Sequence, residues 1–129
     1  MPEISIVVPV YNEQENLQLL TDSLIKALEP LSLEYEIIFV DDQSSDNSLQ
    51  TLRTLANDNN NIKYLSFSRN FGQQAALTAG IDHAAGDAVI TMDADLQDPP
   101  KLLPEMIKEW KKGFDIVYMR RKSRQDGAF

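Results

Sequence analysis

Apolar residues fall in five short, nearly continuous runs, at residues 4–10, 35–40, 62–67, 88–92 and 115–119. Continuous rather than alternating hydrophobicity is the pattern of strands covered on both faces. Between the runs the spacing changes. Leu17, Leu20, Leu24 and Leu28, then Leu49, Leu52 and Ala56, then Leu103, Met106, Ile107 and Trp110 recur every three or four residues, which puts one apolar stripe on each of three helices. Residues 73–85 are rich in Ala and contain Gly80, which predicts a helix seated closely on the sheet, and 57–61 reads as a polar loop. Strand and helix alternate throughout. That predicts one α/β domain, Rossmann-like and three-layered, with a mostly parallel sheet, helices on both faces and a ligand at the carboxyl ends of the strands.

Polar residues gather at those ends. The first run ends in Pro9-Val10-Tyr11-Asn12-Glu13, the second in Asp41-Asp42-Gln43-Ser44-Ser45-Asp46, the third in Ser68-Arg69-Asn70-Phe71-Gly72. Asn12, Ser45 and Asp46 suit helix N-caps, which leaves Asp41 and Asp42 over. The fourth run stops at Asp93 and Asp95, one residue apart, followed by Leu96-Gln97-Asp98-Pro99-Pro100. Carboxylates are hard ligands for Mg²⁺ or Mn²⁺, and Mg²⁺ takes one or two of them together with substrate phosphates. Asp and Pro also form ordinary turns, and Asp98 suits a cap for the next helix.

Composition narrows the class. With 129 residues, 43% hydrophobic and 25% charged, the chain can bury one core. It has no cysteine, so disulfide frameworks and thiolate metal sites drop out. No apolar run reaches the about 18 residues of a membrane span, and no basic leader precedes the first strand, so the expectation is a soluble, non-exported segment. The net charge of −8 argues against nucleic acid as a partner. The basic run Arg120-Arg121-Lys122-Ser123-Arg124 is either solvated surface or a phosphate contact, and His83, without a second His or Cys nearby, reads as an ordinary structural or surface residue.

Taken together, Val7-Val8-Pro9-Val10-Tyr11-Asn12-Glu13, Val40-Asp41-Asp42-Gln43-Ser44-Ser45-Asp46, Asn70-Phe71-Gly72 and Asp93-Ala94-Asp95-Leu96-Gln97-Asp98-Pro99-Pro100 resemble glycosyltransferase family 2. Within it the Asn-Phe-Gly-Gln-Gln-Ala-Ala block, the Asp-Leu-Gln-Asp-Pro-Pro tail and the late Arg-Lys-Ser-Arg look like the bacterial polyprenyl-phosphate transferases, relatives of dolichol-phosphate mannose synthase. The resemblance implies a GT-A fold, of which residues 1–129 would be the nucleotide-binding half of a chain truncated at its C-terminus. It implies that Pro9, Tyr11 and Glu13 line the nucleotide pocket, that Asp42 contacts the base, and that Asp93 and Asp95 hold Mg²⁺ or Mn²⁺ on the diphosphate. Gln97 joins the donor-binding set, and Arg121 and Arg124 are candidates for phosphate. Gln73 and Gln74 are weaker candidates for reaching the donor.

The implied reaction moves a sugar with inversion from a UDP- or GDP-linked donor to a lipid phosphate, at the cytoplasmic face of a membrane reached through the missing C-terminal part. A phosphate acceptor is already largely deprotonated at neutral pH and needs no strong general base, whereas a hydroxyl acceptor would need one. A nucleotide-sugar-binding module without turnover is the rival reading. A receiver-type phosphoacceptor has its acid pair after the first strand, where this chain carries Tyr11-Asn12. One departure stands out: the family more commonly has Asp-Asp-Gly-Ser, and here Gln43 replaces the Gly, which puts the local turn in question.

Overall fold

The computed structural model describes residues 2–94, 103–111 and 116–118, the last three by their backbone. Five strands, β1 (Ile4–Val10), β2 (Tyr35–Asp41), β3 (Ile62–Ser66), β4 (Ala88–Thr91) and β5 (Ile116–Tyr118), pair in parallel in the order β3-β2-β1-β4-β5. The chain winds outward from β1 to β3, then crosses back to β4 and winds the other way. A reversal that keeps right-handed crossovers must carry its connecting helix over the opposite face.

The packing agrees. Helices α1 (Gln14–Leu28), α2 (Ser48–Asp58) and α4 (Leu103–Lys111) cover one face, where Leu17, Leu20, Leu24 and Leu28 of α1 join Ile4, Ile6, Val8 and Phe39 in the main core. Full burial of each such leucine contributes about 1.5–3 kcal/mol. Helix α3 (Gln73–His83) covers the other face through Ala76, against Ile38 and Val40. A Cβ on Gly80 would lie 2.3 Å from Val7 Cγ1 and 3.2 Å from Val40 Cγ2, so the close approach of α3 depends on that glycine. Trp110 packs half-buried against the main core, and His83 is exposed, with its Nδ1 2.9 Å from the Ala79 carbonyl oxygen.

The predicted elements are present with shifted ends. Helix α2 continues through Asp58, so Asn57 and Asp58 are helical and the loop shrinks to the following three residues. A single 3₁₀ turn, Glu29–Leu31, ends at Ser32 with φ of 56°. Among the described residues no helix is long and apolar enough to cross a membrane.

At the amino end of the sheet the buried carboxylate of Glu36 ties four segments together. It accepts from Ser5 Oγ at 2.5 Å, Ala85 N–H at 2.7 Å and Lys63 Nζ at 2.7 Å, while Ser5 Oγ accepts from Gly86 N–H at 2.8 Å. Burial pushes the Glu36 carboxyl up, but the hydrogen bonds from Lys63, Ser5 and Ala85 and the lysine charge outweigh it and hold the group below its ordinary value of 4.5. A depressed folded pKa contributes stability that is complete above the unfolded value and lost as pH falls through the folded one. Urea midpoints are therefore expected to drop as pH falls below about 4.5. Glu36→Gln should flatten that limb, and an equally steep limb in the variant would assign the acid sensitivity elsewhere.

Candidate donor cleft at the strand carboxyl ends

Between β1 and β4, where the winding reverses, the strand ends open a cleft of about 450 Å³. Pro9, Tyr11, Glu13, Asp42 and Asp93, five of the residues singled out in the sequence, all line it. Tyr11 is half-exposed, whereas Asp42 is buried to 4% exposure. Asp95, Gln97, Arg121 and Arg124, with Asp98, lie outside the described residues.

The two adjacent acids ending β2 do different things. Asp41 turns inward to its own loop, accepting from Ser44 Oγ at 2.6 Å and Ser44 N–H at 3.2 Å. Asp42 reaches across to the segment after β3. Its Oδ1 accepts from Phe71 N–H at 2.7 Å and its Oδ2 from Gly72 N–H at 2.9 Å, and its carbonyl accepts from Asn70 Nδ2 at 3.1 Å. Each carboxylate oxygen keeps further acceptor capacity, so the clamp and a ligand contact are compatible.

Gln43 resolves the question raised by the missing glycine. Its φ is 55°, the left-handed conformation in which a glycine is at ease and a β-carbon costs about 1–2 kcal/mol. The turn therefore persists. The side chain supplies what a glycine cannot, donating from Nε2 to the Ser68 carbonyl at 2.9 Å.

The capping expectation needs correction for Asn12 and Ser45. Glu13 and Asn47 occupy the N-cap positions of α1 and α2, and neither makes a side-chain cap bond. Asn12, itself at φ 54°, instead uses Oδ1 to accept from Ser45 N–H, Ser45 Oγ and Asp46 N–H. Ser44 Oγ accepts from Asn12 N–H, Ser48 Oγ from Glu13 N–H, and Gln14 Oε1 from Asn47 N–H. Asp46 accepts from Ser48 N–H and, at 3.3 Å, from Gln14 N–H; burial raises its carboxyl, and these bonds more than offset that and leave it below the usual aspartate value. The loops after β1 and β2 are thus stitched together by side chains, and they hold Tyr11 and Glu13 beside Asp42.

On the far side, Asp93 follows β4, and its Oδ1 accepts from Gln73 Nε2 at 3.0 Å. Gln73 is the first residue of α3, whose N-cap is Gly72 at φ 101°, and both line the cleft. That helix start has no acidic residue in its own first turn and no side-chain cap of its own; the carboxylates of Asp42, on Gly72 N–H, and of Asp93, on Gln73, meet its partial positive charge. Among the described residues no three acidic, His or Cys side chains come together as a cation site. Asp93, the described member of the predicted acid pair, still fits Mg²⁺ or Mn²⁺ at the cleft wall, because such ions keep waters and substrate phosphates as most of their ligands. The Gln73–Asp93 contact carried no linear signal, whereas Val10, Asn70, Gly72 and Ala76 lay in motifs already noted.

A doubly wound parallel sheet with a cleft at its switch point is the architecture of the GT-A glycosyltransferases. The chain belongs to glycosyltransferase family 2: the family described as "Glycosyl transferase family 2" matches residues 5–129. It is 52% identical over 123 residues to the uncharacterized glycosyltransferase sll0501 of Synechocystis, covering 95% of this chain and 39% of that protein. It is 46% identical over 128 residues to the undecaprenyl-phosphate 4-deoxy-4-formamido-L-arabinose transferase of Proteus mirabilis, covering 98% and 39%. The chain thus spans about two-fifths of the length of these relatives. Among solved structures, the mannosyltransferase PcManGT from Pyrobaculum calidifontis, in complex with GDP-Man and Mn²⁺, superposes with a TM-score of 0.72 at 25% identity, over 83% of this chain and 32% of that one. TarS residues 1–349 from S. aureus, in complex with UDP-GlcNAc, gives 0.70 at 28% identity, over 85% and 31%.

Proposed function

We propose that this chain is the donor-binding half of an inverting transferase that passes a sugar from a UDP- or GDP-linked donor to a polyprenyl phosphate at the cytoplasmic face of a membrane. The observation that carries the reading is the convergence of Pro9, Tyr11, Glu13, Asp42 and Asp93 on one cleft. The base lies at the Asp42 end, where a carboxylate accepts from a ring N–H. The diphosphate lies toward Asp93 and the start of α3. A divalent cation held by Asp93 and Asp95 would neutralise charge on the departing diphosphate. Arg121 and Arg124 offer guanidinium forks to the phosphate oxygens of donor or acceptor. The Proteus relative, named for a transfer to undecaprenyl phosphate, supports a lipid-phosphate acceptor, and the PcManGT complex supports a divalent cation.

The test uses a longer protein that carries this chain. Labelled sugar from UDP- and GDP-linked donors is expected in a lipid-extractable product, and Arg121→Ala is expected to depress that transfer. Transfer to a soluble hydroxyl with none to lipid phosphate would overturn the acceptor assignment. Donor binding without any transfer would make the protein a nucleotide-sugar-binding module.

A further inference from the structure

The two acids at opposite ends of the cleft are linked by very little chain. Asp42 grips Phe71 and Gly72 by their backbone N–H groups, Gly72 is the N-cap of α3, and the next residue, Gln73, donates to Asp93. The start of α3 is further fixed by Ala76 N–H, which donates to the Gly72 carbonyl at 3.1 Å. Gln73 therefore springs from backbone that Asp42 holds in place.

The chemistry of the donor matters. A lysine or arginine beside Asp93 would orient the carboxylate but also neutralise it, competing with any cation. A side-chain amide donates a hydrogen bond and adds no charge. It fixes one oxygen without itself cancelling the carboxylate charge. Groups of this kind, which orient a ligating side chain without touching the ion, commonly alter metal affinity by about 10–100-fold when removed.

We infer that Gln73 is a positioning residue, which presents the Asp93 carboxylate to a divalent cation on a bound nucleoside diphosphate and ties its orientation to the Asp42 clamp. The inference rests on the cation reading given under Proposed function. It assigns Gln73 no contact with the donor, in contrast to the direct reach considered from the sequence.

Calorimetry of UDP and GDP binding, in EDTA and across a Mn²⁺ series, separates the alternatives with wild type, Gln73→Ala, Asp93→Ala and the double variant. Gln73→Ala is expected to raise the Mn²⁺ concentration needed for half of the affinity gain about tenfold or more. Affinity in EDTA should stay at the wild-type level. In the Asp93→Ala background the Gln73 change should have no further effect, the signature of one group acting through the other. Weaker binding by Gln73→Ala in EDTA, or a further loss in the Asp93→Ala background, would mean that Gln73 touches the nucleotide and would overturn the inference. An unchanged Mn²⁺ response in Gln73→Ala beside a normal wild-type response would overturn it alone. A wild-type chain with no Mn²⁺ response would overturn the cation reading and the inference together.

Discussion

Asp42→Ala is expected to weaken nucleoside-diphosphate binding by at least about tenfold, whereas Asp41→Ala should leave it within a few-fold of wild type. Hydrogen bonds to a charged group are each worth about 1.5–3 kcal/mol, and truncation of Asp42 removes two of them from Phe71 and Gly72. The loss acts twice. It deletes an acceptor that faces the cleft, and it releases the loop that carries Asn70 and Gly72 into the cleft wall. Asp41 lies 1% exposed and serves Ser44, so its replacement costs folding stability more than affinity. Titration of both variants, each shown to be folded by circular dichroism, checks the difference. Equal losses of affinity would take away the special place of Asp42.

Gly86→Ala should be the most destabilising small substitution at the amino end of the sheet, by about 2–4 kcal/mol. The added Cβ would lie 2.7 Å from Ser5 N, 2.7 Å from Ser5 Oγ and 2.8 Å from the Ile4 carbonyl carbon. These are largely backbone atoms of β1, which is bonded to β2 on one side and β4 on the other and has nowhere to retreat. Gly86 is not in the left-handed region, so the cost is steric rather than conformational. The same displacement would pull Gly86 N–H from Ser5 Oγ and disturb the Glu36 network. A lower urea midpoint with an unchanged slope is the expected result. A midpoint equal to wild type would mean that the turn before β4 yields at little cost.

Much of this architecture is legible in the chain because burial writes a period into it. The leucines of α1 repeat every three or four residues because they meet one sheet face, and β1 and β2 read as solid apolar runs because both faces are covered. Helix α3 was recognisable only as Ala-rich, since its contacts run through Ala76 and the bare backbone of Gly80. The reversal between β3 and β4 leaves no local mark, as strand order is decided by pairing between distant segments.

The acids of the cleft could be found by where apolar runs stop, and Asp42 and Asp93 do line one cleft. Their partners could not. Asn12 reads as a cap because an asparagine before a helix usually is one, and its actual partners, Ser45 and Asp46, lie 33 and 34 residues away. Gln73 and Asp93 are 20 residues apart and meet only because α3 returns the chain across the sheet.

The stitching of the first two loops bears on the entropy of association. A binding loop that must be ordered on contact draws its ordering cost from the interaction energy. Here Asn12, Gln14, Ser44, Asp46 and Ser48 already hold the backbone that carries Tyr11 and Glu13. A ligand arriving at that end meets a preorganised wall, so the contacts made there go almost undiminished into affinity and residence time.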